Sequence, residues 1–159
     1  TPARVFFATP TGGVQAVELS GSAPPLDVLE GTASAPVSLG FDGDNFLNLV
    51  VVVETDLSLV LVQEFLKQLE ESQGRDRTLA KFSSRPIDVD ILFYGSDDGA
   101  SLGIELPRAE ITRNAFVLLP LAELLPDAQH APTGKTYAEL WASYDKDSQK
   151  LWPIEFAWP

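Results

Sequence analysis

Two aspartates separated by one residue are the feature of this sequence most suggestive of chemistry. Asp88 and Asp90 lie in the apolar segment 87–94, which is predicted to be a β-strand. Because side chains alternate along a strand, both carboxylates face the same side, with Cα atoms about 6.6 Å apart. Such a pair can hold one or two Mg²⁺ ions, which prefer oxygen ligands. The alternative is a strand with one solvated face, although aspartate is depleted in strands.

A run of cations precedes these aspartates. The polar segment 75–85 is predicted to be a loop, and it contains Arg75, Arg77, Lys81 and Arg85. Arginine binds phosphate through two parallel hydrogen bonds and keeps its charge at any relevant pH. Beside two metal-binding aspartates, these cations would surround a triphosphate. The alternative is a solvated loop whose surface ion pairs contribute little.

The charge distribution also indicates an anion-binding region. The formal net charge is −12, which argues against a nucleic-acid partner because such proteins need cations to displace counterions. Only Arg4 is basic among the first 66 residues, whereas seven of the 11 Lys and Arg residues lie between positions 67 and 113. These seven are Lys67, Arg75, Arg77, Lys81, Arg85, Arg108 and Arg113.

Several kinds of site are excluded or disfavoured by the sequence. There is no cysteine, which excludes thiol catalysis, disulfides and thiolate metal sites. Neither the Gly-x-x-x-x-Gly-Lys-Ser/Thr loop nor Gly-x-Gly-x-x-Gly occurs. His130 is the only histidine, and we expect it to be a bystander in a loop beside prolines. A serine triad or a zinc site is therefore disfavoured.

Length and hydropathy predict one soluble domain over residues 1–159. The longest apolar runs, 49–53 and 116–122, are far shorter than the roughly 20 residues of a membrane helix. No signal-peptide pattern is visible at the start of the sequence. We therefore expect a cytoplasmic protein with neither a membrane nor a nucleic-acid partner.

The elements that would position the aspartates form an α+β pattern. Residues 4–8 and 46–55 are predicted strands, the second an interior strand because it contains four consecutive valines. Asp56 or Ser58 would then cap a helix over residues 59–72, whose apolar side chains recur every three or four positions.

The remaining predictions are less regular. Residues 9–44 are rich in turn-forming residues and are predicted to form loops and short hairpins, with possible strands at 14–19 and 26–30. After the helix, Gly74 marks its end. Further predictions are a short strand at 101–106, a helix from Arg113 to Leu124 capped by Thr112 and stopped by Pro126, a helix over 136–144, and an aromatic tail over 151–159 that packs on the domain.

The order and spacing of these residues resemble one known family. Residues 85–95 resemble the Arg-x-x-Asp-(Leu/Ile/Val)-Asp-(Ile/Leu)-x-x-(Tyr/Phe)-Gly signature of the 6-hydroxymethyl-7,8-dihydropterin pyrophosphokinase family. The likeness extends over about residues 45–145. It includes Phe46-Leu47-Asn48, the turn from Glu70 to Gly74-Arg75-Asp76-Arg77, and Phe116-Val117-Leu118-Leu119-Pro120-Leu121-Ala122-Glu123.

The resemblance implies a fold and a reaction. The fold would be ferredoxin-like α+β, with a mostly antiparallel sheet and packed helices. The reaction would transfer diphosphate from ATP, with two Mg²⁺ ions, to the hydroxymethyl group of a dihydropterin and release AMP, as a step of folate biosynthesis. The partners would be these small molecules, and the chain would be a monomer, with a dimer as the alternative.

The resemblance also assigns roles to individual residues. Asp88 and Asp90 would bind the two Mg²⁺ ions, and Arg75 and Arg85 would be the catalytic arginines. The predicted nucleotide site contains Glu70, Arg77 and Lys81, with Arg108 and Arg113 as candidates for altered phosphate contacts. The predicted pterin site contains Asn48 as a hydrogen-bonding group, Phe46 and Phe116 as stacking groups, and Phe82. For the phenylalanines, the alternative is core packing.

Some positions depart from the family pattern. The first strand is followed by Thr9-Pro10-Thr11-Gly12-Gly13 instead of Gly-Ser-Asn and a helix. Arg108 stands where the family usually has histidine after Pro107, and Asn114 stands where it has arginine. Two other hypotheses therefore stay open: a non-catalytic pterin- or nucleotide-binding homologue, and a diphosphokinase with a different acceptor.

Overall fold

The computed structural model describes residues 2–9, 30–33, 37–40, 45–72 and 88–153. Predictions that fall between these ranges or after residue 153 lie outside the described residues. They include the strand predicted at 14–19, residues 26–29 of the strand predicted at 26–30, the helix end at Gly74, and the loop with Arg75, Arg77, Lys81, Phe82 and Arg85.

The described ranges contain eight strands and four helices. The strands are β1 (Pro2–Thr9), β2 (Glu30–Ala33), β3 (Val37–Gly40), β4 (Asn45–Glu54), β5 (Asp88–Tyr94), β6 (Gln129–His130), β7 (Lys135–Thr136) and β8 (Leu151–Pro153). The helices are α1 (Leu59–Ser72), α2 (Glu110–Arg113), α3 (Ala115–Leu124) and α4 (Tyr137–Ala142). None of the helices in these ranges has the length and apolar character needed to cross a membrane.

Six strands form one antiparallel sheet, so the α+β prediction is confirmed. The order is β5-β1-β4-β3-β8, and β2 also pairs with β4. The predicted interior strand at 46–55 is confirmed, because β4 has β1 on one side and β2 and β3 on the other. The pairing of β8 with β3 confirms that the tail packs on the domain, as far as Pro153.

Helix α1 has the predicted bounds and covers one face of the sheet. Ser58 caps it, since its Oγ accepts a hydrogen bond of 3.4 Å from the Leu61 amide. The buried side chains Leu59, Val62, Phe65, Leu66 and Leu69 pack with Val53 and Ile91 of the sheet. Burying each such side chain contributes about 1.5–3 kcal/mol, which fixes α1 beside β5.

The other face of the sheet is covered by α3 and α4. Val50 of β4 and Leu92 of β5 pack with Leu118 and Leu121 of α3 and with Tyr137 of α4. The last predicted helix is confirmed in a shorter form, and Thr136 caps it in a reciprocal arrangement with Glu139. Alternation along β5 therefore sends Leu92 to one layer of helices and Ile91 to the other.

The strand predicted at residues 101–106 is wrong. A 3-10 turn (Ala100–Leu102) lies there, between Gly99 and Gly103, whose φ values are 80° and 65°. The helix predicted from Arg113 to Leu124 is confirmed as α3, but it begins two residues later, because Asn114 is extended, with φ −114° and ψ 118°, and separates it from α2. Thr112 is not its cap; it lies inside α2, and its hydroxyl donates to the Ala109 carbonyl over 3.3 Å.

Candidate active site

A cleft lies beside β5, at the edge of the described sheet. It has a volume of about 150 Å³ and lies between α1, β5 and the segment that follows β5. Its polar lining residues are Gln63, Lys67 and Glu70 from α1, Asp88 and Asp90 from β5, and Arg108. The structure thus brings four predicted site residues, Glu70, Asp88, Asp90 and Arg108, to one place.

Both aspartates line this cleft from the strand predicted to hold them. Antiparallel pairing with β1 sets their register, with Asp88 opposite Ala8 and Asp90 opposite Phe6. Val89 and Ile91, between and after them, pack in the cluster of α1, which confirms the predicted alternation. Both aspartates are partly exposed, and 49% of the Asp90 side chain is accessible.

The aspartates fit a hard divalent cation that retains other ligands. Carboxylate oxygens are the ligands that Mg²⁺ prefers, and Mg²⁺ usually keeps several waters or phosphate oxygens beside one or two carboxylates. The described part of the chain has no group of three His, Asp or Glu residues that could enclose a metal. Two accessible carboxylates in an open cleft therefore suit a magnesium ion that arrives with a phosphate ligand.

Arg108 is fixed beside Asp90 by its backbone and by its side chain. Its amide donates to the Leu92 carbonyl of β5 over 2.8 Å. Its Nη2 donates to Asp90 Oδ1 over 3.1 Å. Its Nε lies 3.6 Å from Glu110 Oε2, which is an ion-pair distance longer than a hydrogen bond. The sequence placed Arg108 in the nucleotide site, but it did not predict this contact with an aspartate.

Glu70 supports the strand that carries the aspartates. Its side chain is buried, with 4% of the residue exposed, and its Oε1 accepts a hydrogen bond of 2.9 Å from the Val89 amide. Val89 lies between the two aspartates on β5, the edge strand of the described sheet, where backbone amides need partners from outside the sheet. Glu70 therefore lines the predicted nucleotide site, and one of its oxygens is bound to backbone.

Gln63 and Lys67 also line the cleft. Lys67 was predicted only as one of the clustered cations, and Gln63 was not predicted. The signal that could have found them is helical spacing. Gln63, Lys67 and Glu70 lie at i, i+4 and i+7, which places them along one face of α1. These three side chains line the cleft together with the two aspartates, so Lys67 adds a second cation to the described lining.

Other predicted site residues lie away from this lining. Asn48 is buried in β4, and Phe116 is half-buried and packs in the cluster of α3 and α4. The backbone of Phe46 pairs with Leu39, but its side chain is outside the described part. Arg113 is exposed on α2, and its carbonyl accepts a hydrogen bond of 2.7 Å from the Tyr144 hydroxyl. Their assignments to pterin and nucleotide stay predictions.

The pKa values of Tyr94, Glu123 and His130 are shifted, and these three residues lie outside the cleft lining. Burial lowers the pKa of His130, whose Nδ1 lies 3.1 Å from Thr133 Oγ1 in the loop between β6 and β7. Burial raises the pKa of Glu123. Burial, and then the charges of Asp97 and Asp56, raise the pKa of Tyr94, whose hydroxyl donates to the Leu57 carbonyl. These groups affect stability rather than the chemistry of the cleft.

Comparisons with known proteins agree with the resemblance seen in the sequence. Residues 15–126 match the model of the 7,8-dihydro-6-hydroxymethylpterin-pyrophosphokinase (HPPK) family. A 2-amino-4-hydroxy-6-hydroxymethyldihydropteridine pyrophosphokinase of Synechocystis is 31% identical over 69% of this chain and 55% of its own length. A protein of the same name from Pseudomonas aeruginosa is 34% identical over 64% of this chain and 62% of its own length.

A third relative carries two activities in its name. The "Bifunctional protein FolKE" of Lactococcus lactis is 32% identical over 89% of this chain and 40% of its own length. The alignments with all three relatives span from 40 to 62% of those proteins, so this chain covers about half of the length of the curated relatives it matches.

Proposed function

Because the chain belongs to the 7,8-dihydro-6-hydroxymethylpterin-pyrophosphokinase family, we propose that its cleft transfers diphosphate from Mg²⁺-ATP to 6-hydroxymethyl-7,8-dihydropterin and releases AMP. One observation carries the proposal: Asp88 and Asp90 line a single open cleft together with the cations Lys67 and Arg108. Phosphoryl transfer depends mainly on positioning and on neutralising phosphate charge, and these residue types supply both.

Asp88 and Asp90 would hold the magnesium, and we propose two ions. Bound magnesium would neutralise the charge of the phosphate oxygens and polarise the phosphorus–oxygen bond that breaks. The two carboxylates would keep the magnesium ions at the edge of the sheet. Glu70 would support the backbone between Asp88 and Asp90 by accepting a hydrogen bond from the Val89 amide.

In the proposed reaction, the hydroxymethyl oxygen of the pterin forms a bond to the β-phosphorus of ATP. The bond between that phosphorus and the oxygen shared with the α-phosphate breaks, AMP leaves, and the hydroxyl proton is lost to solvent. Arg108 would contact phosphate in the cleft that Lys67 also lines. Arg75 and Arg85 remain our proposed catalytic arginines, and Arg77 and Lys81 remain proposed nucleotide contacts, on the basis of the family motif.

The pterin site is proposed from family positions and residue chemistry. Asn48 offers both a donor and an acceptor to the edge of a heterocycle. Phe46 and Phe116 would stack on its faces, since aromatic rings favour offset stacking. Phe82 would line the same pocket.

We also propose a ferredoxin-like arrangement for the domain. The order β5-β1-β4-β3 supports it, and so does α1, which connects β4 to β5 on either side of β1 as in a split β-α-β unit. We propose that the chain acts as one domain and as a monomer.

The test is an assay of AMP with purified protein, Mg²⁺-ATP and 6-hydroxymethyl-7,8-dihydropterin. We expect AMP and pterin diphosphate in equal amounts, and no AMP when the pterin is omitted. AMP formed equally without the pterin would contradict this acceptor. No AMP from a folded protein that binds both ligands would favour a non-catalytic homologue.

A further inference from the structure

Given the proposed function, we propose that the Arg108 guanidinium competes with a divalent cation for Asp90, and that a triphosphate relieves this competition by accepting the guanidinium. Arg108 would thus couple metal binding to nucleotide binding. The residue is a departure of this chain from the family pattern, which has histidine after the proline. Membership of the family and the names of the relatives assign it no role.

The contact geometry restricts where the guanidinium can act. The hydrogen bond from the Arg108 amide to the Leu92 carbonyl measures 2.8 Å and ties the arginine to the strand that carries Asp90. The guanidinium reaches back along this strand to Asp90 Oδ1, at 3.1 Å from Nη2. Only 28% of the Arg108 side chain is exposed, so the surrounding residues restrict the positions that the guanidinium can take to those within the cleft.

A metal ion and the guanidinium would be close competitors at this carboxylate. A magnesium ion lies about 2.1 Å from a ligand oxygen. Bound to Asp90 Oδ1, it would lie within about 5.2 Å of Nη2, by adding this length to the observed 3.1 Å. Like charges at that distance repel, although solvent weakens the effect at a side chain that is half exposed. We therefore expect the guanidinium to weaken metal binding at Asp90 by a small factor.

The guanidinium would have donors available for a phosphate once it leaves Asp90. Its Nε is buried, and it has no hydrogen-bond partner among the described residues, because Glu110 Oε2 is 3.6 Å away. A guanidinium can donate two parallel hydrogen bonds to phosphate oxygens, which are stronger than bonds between neutral groups. Phosphate would attract Arg108 while metal takes Asp90, so each ligand promotes binding of the other.

The test uses Mn²⁺ as the metal probe, with free Mn²⁺ measured by electron paramagnetic resonance. Without nucleotide, Arg108→Gln should bind Mn²⁺ about two- to fivefold more tightly than the wild type, which is the range expected for an exposed ion pair. With α,β-methylene-ATP present, the same variant should bind the metal–nucleotide complex about tenfold more weakly, because it lacks a charged donor.

The matched control is Arg113→Gln, which makes the same change of charge on exposed α2, outside the cleft lining. Its Mn²⁺ affinity without nucleotide should stay within about twofold of the wild type, since solvent screens distant charges. Arg108→Lys serves as a second variant in case Arg108→Gln fails to fold. It keeps the charge, so its Mn²⁺ affinity should also stay within about twofold, but it should lose nucleotide affinity because lysine lacks the planar fork.

Unchanged or weaker Mn²⁺ binding by Arg108→Gln without nucleotide would overturn the inference. If the wild type still made AMP in the pterin assay, the proposed function would stand. If the wild type bound no Mn²⁺ even with the nucleotide analogue, both the inference and the metal assignment of Asp90 would be contradicted.

Discussion

Glu70 shows how a buried side chain can support the strand that carries the two aspartates. It is buried beside β5, and its carboxylate accepts a hydrogen bond from the Val89 amide, between the two aspartates. A side chain in this position satisfies a backbone amide at the edge of the described sheet. Glu64 lies on the same helix but is exposed, so it serves as a comparison for the buried Glu70.

We predict that Glu70→Ala lowers the free energy of unfolding by about 1–3 kcal/mol, since the Val89 amide loses its acceptor. Glu70→Gln keeps an oxygen in place and should lose less. Urea denaturation followed by circular dichroism measures both. Glu64→Ala, an exposed change on the same helix, should stay within about 0.5 kcal/mol of the wild type. Equal losses in Glu70→Ala and Glu64→Ala would contradict this role.

His130 makes stability depend on pH. Burial lowers its pKa in the folded protein, so in the acid range the unfolded chain binds a proton that the folded chain resists. The stability that neutral His130 contributes is therefore complete above its unfolded pKa of about 6.5 and is lost as the pH falls below that value.

We predict that wild-type protein loses more thermal stability between pH 7.5 and 5.0 than His130→Gln does. Calorimetric melting temperatures at both pH values measure the difference, and the comparison cancels the carboxylates that both proteins share. A parallel decline in the two proteins would show that His130 does not contribute.

At the scale of elements, the segment between β5 and α2 positions Arg108. Gly99 and Gly103 both have left-handed backbone conformations, and both flank the 3-10 turn. They differ in their surroundings: a Cβ on Gly99 would lie 2.5 Å from the Ile104 carbonyl oxygen, whereas a Cβ on Gly103 would meet nothing within 4 Å. Substitutions at the two glycines therefore distinguish the cost of the backbone conformation, which both positions share, from the cost of steric overlap, which only Gly99 has.

We predict that Gly103→Ala costs about 1–2 kcal/mol of stability, the penalty of the left-handed conformation alone. Gly99→Ala should cost about 3 kcal/mol or more, because the backbone around Ile104 must also shift. Chemical denaturation of both variants checks the order. A smaller loss for Gly99→Ala than for Gly103→Ala would contradict the described packing.

The elements that the sequence predicted correctly are those with local causes. Helix α1 has a cap, a regular apolar period and no internal breaker, and its bounds match. The break at Asn114 is accompanied by a contact between residues far apart in the sequence. The Ala115 amide at the start of α3 binds Gln149 Oε1 at 2.8 Å, from a residue 34 positions later. Residues 101–106 looked like a strand because they are partly apolar, but their apolar side chains pack against α1 around glycine turns.

At the scale of the whole molecule, the cleft exists because three parts of the chain meet at one sheet edge. Strand alternation predicted that Asp88 and Asp90 project from the same face of β5. The family resemblance placed Arg108 and Glu70 in the same site. The sequence could not predict that Arg108 would contact Asp90 or that Glu70 would bind the Val89 amide, since both contacts depend on how separate elements pack. The roles of Asn48, Phe46, Phe116 and Arg113 stay predictions.

The central claim is that the aspartates of this cleft enable diphosphate transfer, and Asp90→Asn tests it most directly. Asparagine keeps the shape but removes a charged metal ligand, so we predict that AMP formation with the dihydropterin falls by about a hundredfold or more. Circular dichroism should show an intact fold. The matched control, Asp127→Asn, makes the same change at an exposed turn outside the cleft lining and should keep the wild-type rate. A wild-type rate in folded Asp90→Asn would contradict the account.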